Sequence, residues 1–278
     1  MLKKVMLSLA VCMLAVGSAN AAVAYEGFET KANGSVLSAG LMPQVGTVAY
    51  NYASWATPVP GTFVVENTNV YGGSQAIQAT RPQNAGNQAI GFGGGSMKAG
   101  ETWVVTWAYK STSIYHYQDV TPAPPQPGSG NFFLDNLQDK WTLGGVDENW
   151  SSDTFGHYYV YGGGAPVDSG IAPTGGWDFF ELYLKINATE TGIPGNELYG
   201  LIDVYITPAG GVRTLAAGDV ASGAFGKNTP LLAYFEANAA PTPYDAQVCY
   251  FDEITIIPEP ATMSLLGLGL LGLLRRKH

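Results

Sequence analysis

The stretch Thr102-Trp103-Val104-Val105-Thr106-Trp107-Ala108-Tyr109 alternates without a break. Trp103, Val105, Trp107 and Tyr109 fall on one side and Thr102, Val104, Thr106 and Ala108 on the other, the two-residue period of a strand with one face in a core. The same period runs through Asp178 to Ile186, with Phe180, Leu182, Leu184 and Ile186 opposite Phe179, Glu181, Tyr183 and Lys185. Tyr199 to Ile206 and Gln247 to Ile257 repeat it. Weaker strand segments are Val45 to Tyr52, Gly61 to Glu66, Gln75 to Thr80, Gln88 to Phe92, His157 to Tyr161 and Leu231 to Ala237.

Between these runs lie Asn33-Gly34, Gly72-Gly73, Gly93-Gly94-Gly95, Gly162-Gly163-Gly164, Gly175-Gly176 and Gly210-Gly211, where positive φ costs little. Capped helical patterns are hard to find. Ten or more short strands without alternating helices predict an all-β fold, an antiparallel β-sandwich or jelly roll rather than a parallel α/β sheet. Asp119 to Gly130 (DVTPAPPQPGSG) is Pro-rich and aperiodic, and is expected to be a long surface loop inside one domain.

Both ends read differently from this body. Lys3 and Lys4, the apolar run Val5 to Val16 and the small residues Ser18-Ala19-Asn20-Ala21 have the order of a secretory signal helix, with cleavage expected near Ala22 or, at a second small-residue site, before Tyr25. At the other end Pro258-Glu259-Pro260 precedes a Gly- and Leu-rich apolar run of fourteen residues, 261–274, and then Arg275-Arg276-Lys277-His278. Fourteen is short of the roughly twenty residues of a spanning helix. The expected organisation is a signal peptide at 1–21, a sandwich at 22–257 and a C-terminal sorting signal with a short hydrophobic, transmembrane-type helix at 258–278.

The order of triplet, short apolar span and basic end resembles the PEP-CTERM sorting domain. That resemblance implies recognition of Pro258, Glu259 and Pro260 by an exosortase, with Arg275, Arg276 and Lys277 as the basic end of the signal. It also implies removal of the tail after transient inner-membrane retention, and delivery to the cell surface or an exopolysaccharide matrix. The implied partners are the Sec export machinery, signal peptidase and the exosortase.

Apart from the two ends, eight basic residues face twenty-one acidic ones, a formal charge of about −13. A body this acidic offers no cationic surface for phosphate, so nucleic acid is not an expected partner. Beyond the signal, Cys249 is the only cysteine, which excludes an internal disulfide and a thiolate metal cluster; it is expected to be a buried, inert thiol.

Motifs of catalysis are missing from the chain: there is no Gly-x-Ser-x-Gly, His-Glu-x-x-His or Cys-x-x-Cys. Nor does it hold the Glu-x-Asp-x-x-Glu strand pattern that sandwich glycanases use for paired carboxylates. The body is therefore expected not to be an enzyme. Strict alternation places Asp252 with Val248, Tyr250, Ile254 and Ile256 on the buried side of the last strand, where a charge needs a partner. First and last strands of jelly rolls commonly lie together, so Glu26 or Glu29 beside Asp252 would make a hard-oxygen site for a structural Ca²⁺. Two other readings stay open for Asp252: backbone N–H donors, or a bulge that turns it outward.

The segment from Trp177 through Asp178-Phe179-Phe180 to Tyr199–Ile206, closed by Thr207-Pro208-Ala209-Gly210-Gly211, resembles the paired strands of concanavalin A-like and laminin G-like sandwiches. The resemblance implies that fold and a tendency toward glycan or adhesive binding. Tyr and Trp rings are flat platforms on which sugars stack. Trp141 and Trp150, flanked by Asp139, Asp147, Glu148 and Asn149, are the candidate sugar contacts. Three functions remain in play: a non-catalytic carbohydrate-binding or matrix module, a polysaccharide-active enzyme on the same fold, and a purely structural surface protein.

Overall fold

The computed structural model describes residues 23–53, 59, 61–80, 88–111, 130–135, 143–147, 157–237 and 248–259. They form fifteen strands: β1 Ala24–Glu26, β2 Val48–Tyr52, β3 Phe63–Glu66, β4 Ala76–Thr80, β5 Gln88–Gly94, β6 Thr102–Ser111, β7 Gly130–Asp135, β8 Gly144–Asp147, β9 Tyr159–Tyr161, β10 Val167–Asp168, β11 Asp178–Ile186, β12 Gly200–Thr207, β13 Thr214–Ala221, β14 Leu231–Ala237 and β15 Val248–Pro258. All pair antiparallel in two sheets. The first runs β13-β12-β11-β6-β15-β4-β3, with β1 sharing the β4 edge of β15; the second runs β10-β9-β8-β7-β14-β5-β2. The molecule is the all-β antiparallel sandwich that the alternation predicts.

The core is the meeting of the periodic faces. Trp103, Val105, Trp107 and Tyr109 of β6 and Phe180, Leu182, Leu184 and Ile186 of β11 all point into one cluster with Phe132, Leu134, Val146 and Val160 of the opposite sheet. Trp107 ties the layers together. Its ring lies parallel to Phe132 across the interface, with centroids 3.9 Å apart, and to Phe180 in its own sheet at 4.9 Å. Phe235 on β14 takes edge contacts from Phe63 and Phe28, which extends the same aromatic packing.

The two sheets differ on their far faces. In the first, β11 and β12 alternate buried and half-buried residues, so one face looks outward. In the second, β5 and β14 are buried at every position, the polar Gln88 and Glu236 included. Ala53, Ala89, Leu232, Tyr161 and Tyr234 make a second, smaller apolar cluster on its far side. Gly91 is required there: a Cβ would sit 2.6 Å from both the Ala233 carbonyl oxygen and the Tyr234 ring.

The last strand departs from strict alternation. Cys249, Phe251, Ile254 and Ile256 face the core, and the register against β6 slips between Asp252 and Thr255. This is a β-bulge, with Glu253 in the left-handed region at φ 51°. Asp252 and Tyr250 therefore stand on the face opposite Phe251, and the single-face assignment made for Val248, Tyr250, Asp252, Ile254 and Ile256 is corrected. Cys249 is fully buried, as expected. β1, β7, β8, β10 and β13 are strands that the sequence periods did not reveal. Residues 1–22, which include the expected signal peptide 1–21, and most of the tail lie outside the described residues, as do Trp141, Trp150, Pro260, Arg275, Arg276 and Lys277. Among the described residues no helix is long and apolar enough to cross a membrane.

Candidate functional site

The expected meeting of the first and last strands occurs: Ala24, Tyr25 and Glu26 pair with Ile256, Thr255 and Ile254. Its carboxylates have separate protein partners. Glu26, fully buried, accepts hydrogen bonds from the Phe28 N–H (2.7 Å), the Gln44 N–H (3.1 Å) and the Tyr50 hydroxyl (3.0 Å), and pairs with Lys31 at 2.7 Å. The Tyr50 hydroxyl, enclosed beside that charge, is pushed well above its ordinary pKa by burial and then by Glu26. Glu29 takes the Ser74 and Gln75 N–H groups and the Ser74 hydroxyl, bonds that lower its pKa.

Asp252 accepts the Tyr71 and Gly72 N–H groups at 2.9 and 3.0 Å, and its other oxygen the Glu253 N–H at 2.8 Å. Burial nevertheless outweighs those three donors and raises its pKa to about 7. Among the described residues no three His, Cys, Asp or Glu side chains are grouped to hold a metal. Of the two alternatives kept open for Asp252, the N–H donors are present, whereas the bulge turns it off the core face without bringing it to solvent, since it stays fully buried. These carboxylates pin the turn Tyr71-Gly72-Gly73-Ser74-Gln75, Asp252 at its start and Glu29 at its end.

That turn contributes Tyr71 to an aromatic patch on the outer face of the first sheet. The Tyr71 ring stacks on Phe179 (5.9 Å, 14°) and meets Trp177 at 5.9 Å, while Trp177 meets Tyr250 at 6.4 Å. Lys110 lies over the Tyr250 ring at 5.9 Å. Tyr71 is 46% exposed, so the patch is open to solvent.

Farther along β11 the same face becomes polar. An open pocket of about 360 Å³ is lined by Thr102, Tyr183, Lys185, Asp203, Tyr205, Arg213 and Glu259. Strand register puts these groups together: Tyr183 lies opposite Asp203, and Glu181 opposite Tyr205. The Arg213 guanidinium covers the Tyr205 ring at 3.6 Å and pairs with Glu181, whose carboxylate also accepts the Tyr183 hydroxyl at 3.2 Å. Burial, then the Glu181 charge, raises the Tyr183 pKa. Lys185 bridges Asp203 (2.8 Å) and Asp219 (2.9 Å), bonds that raise its pKa. Burial works against the Asp203 charge, but Lys185 and the Asp219 N–H carry its pKa below the ordinary value. Fixed donors and acceptors beside two aromatic rings suit a polyhydroxylated ring, which offers hydroxyls at its edge and C–H groups on its face.

The far face of the second sheet holds another arrangement. Glu236 on β14 and Asp147 on β8 are both buried, and both align with Asn131 of the intervening β7. They occupy one lateral row two strand spacings apart, about 10 Å between backbones. Tyr159 continues that row beyond Asp147.

The expected sugar contacts Trp141 and Trp150 cannot be placed against either face, since they fall outside the described residues. The face on the first sheet was legible only in part. Glu181, Tyr183 and Lys185 are on one side of β11 by period alone, but Arg213 and Tyr205 reach them through pairing, and Tyr71 reaches Phe179 from a turn, in ways that no local pattern announces.

An antiparallel β-sandwich with a polar, aromatic outer face and a sorting triplet at the end of its last strand is the class of protein that these observations define. Residues 257–277 match the PEP-CTERM protein-sorting motif, which marks the chain as an exported protein handled at the membrane as an exosortase substrate. No curated protein matches the chain at the level of sequence. Among solved structures it is similar to the GH131 beta-glucanase catalytic domain from Podospora anserina, at 10% identity over 84% of this chain and 95% of that one, with a TM-score of 0.46. It is also similar to the cellulose induced protein Cip1 (14% identity, 84% and 95% covered, TM-score 0.44) and to lectin I-B4 from Griffonia simplicifolia (8% identity, 76% and 99% covered, TM-score 0.42).

Proposed function

We propose that this protein is a non-catalytic carbohydrate-binding component of the cell surface or the extracellular polysaccharide matrix. It enters the Sec pathway by its N-terminal segment, loses that segment to signal peptidase, and is held at the inner membrane by its short apolar tail until an exosortase removes it. The observation that carries the binding reading is the outer face of the first sheet, where the Tyr71, Trp177, Phe179 and Tyr250 patch adjoins a pocket of paired ions and two tyrosines. A body charge near −13 favours neutral glycans over uronates or sulfated chains, because like charges repel.

The test is a glycan array probed with the mature secreted protein, followed by calorimetry on the polysaccharides that it retains. Trp177→Ala and Tyr205→Ala should each weaken binding roughly tenfold, the loss of one stacking platform. An array that retains nothing would leave a purely structural surface protein. A second reading, a polysaccharide-active enzyme, is favoured by the shared row of Glu236 and Asp147, since inverting glycosidases hold two carboxylates about 6.5–9.5 Å apart. Release of reducing sugar by the parent protein, abolished in Glu236→Gln, would replace the binding reading with that one.

A further inference from the structure

The first two residues of the sorting triplet, Pro258 and Glu259, are held against the body. Pro258 is the last residue of β15 and pairs with Trp103 of β6, and the Glu259 N–H donates to the Thr102 carbonyl oxygen at 2.7 Å. Glu259 is exposed and forms part of the pocket wall with Tyr183, Lys185, Tyr205 and Arg213. In sequence the apolar run begins at Ala261, two residues on, a reach of about 7 Å at full extension. An enzyme that closes around this triplet has no spacer to work in. Gripping Glu259 where it lies brings it against the residues that share the pocket.

We propose that the sorting peptidase docks on the outer face of the first sheet, with Tyr183 and Arg213 at the centre of its footprint, and reads Glu259 in place against β6. This rests on the exosortase reading of the motif. The pocket and its ion partners hold Lys185 and Arg213 against Glu181, Asp203, Asp219 and Glu259, two cations to four carboxylates. The face that fits it on the peptidase is therefore net positive, and steering between the two weakens as salt rises.

Docking on the body makes the peptidase's efficiency depend on residues far from the motif in sequence. The test uses the full chain in a host that contains the sorting system, with the fraction of tail-bearing precursor followed by mass spectrometry after a pulse of synthesis. Tyr183→Ala with Arg213→Ala should slow tail removal several-fold while the secreted body melts at the parent temperature. An eight-residue Gly/Ser spacer between Ile257 and Pro258 should also slow it and make the rate indifferent to the Tyr183 and Arg213 substitutions. Unchanged rates in the double variant, or faster removal in the spacer variant, would overturn the docking surface, the latter because the body would then only obstruct the enzyme. Glu259→Ala is the separate control: continued processing of that variant would refute recognition of the triplet itself.

Discussion

Asp252 shows how much one residue's environment decides. Its carboxyl is fully enclosed and receives three N–H donors, yet burial holds its pKa near 7. In the unfolded chain it titrates near 3.8, so between the two values the unfolded chain has released a proton that the fold retains. The stability that this group contributes is fully present below about pH 4 and declines as pH rises toward 7. Urea unfolding across that range should show the decline in the parent and a flatter profile in Asp252→Asn. Lys31 supplies a second residue-scale prediction. Removing it by Lys31→Met leaves Glu26 charged and fully buried with neutral donors alone, at a cost of about 3 kcal/mol measured by denaturant unfolding. The Asp252 effect is not visible in sequence, because Asp252 and its donors at Tyr71 and Gly72 are some 180 positions apart.

At the scale of elements, the strands that period two identifies are those with one face in the core. β6, β11 and β12 alternate, and the inward sets of β6 and β11 came out as read from the sequence. β8 is buried at every position and β13 at few, so neither carries alternation to detect. β15 alternates on both sides of its bulge, but the extra residue reverses the parity between them, which is why Asp252 changed faces. Gly93 of β5 offers a test at this scale. A Cβ there would collide with the Leu231 carbonyl oxygen across the β5–β14 ladder. Gly93→Ala should destabilise the fold by about 2–3 kcal/mol and lower the thermal midpoint, the strain falling on backbone that cannot move without breaking the pairing.

For the molecule as a whole, the sandwich stands without a disulfide, since Cys249 is its one free thiol among the described residues. Its stability rests on packing between layers, concentrated in the Phe132, Trp107 and Phe180 stack. Trp107→Ala opens a large cavity at that junction and should cost about 4 kcal/mol, read as a collapse of the denaturant midpoint or loss of secreted protein. The aromatic patch and the polar pocket lie on the opposite side of the same sheet, exposed because that face alternates outward. The core and the proposed binding face are thus the two sides of β6 and β11.

By itself the sequence determined the all-β class, the inward faces of the alternating strands, the acidic body and the sorting motif. Each of these is written in local period, composition or a contiguous run. Tertiary structure alone decided that β15 bulges at Asp252, that Glu26, Glu29 and Asp252 each accept N–H donors, with Lys31 beside Glu26, and that Arg213, Tyr205 and Tyr183 share a pocket with Glu259. Those outcomes depend on strand order and register, which bring distant segments together and which no local pattern of side chains encodes.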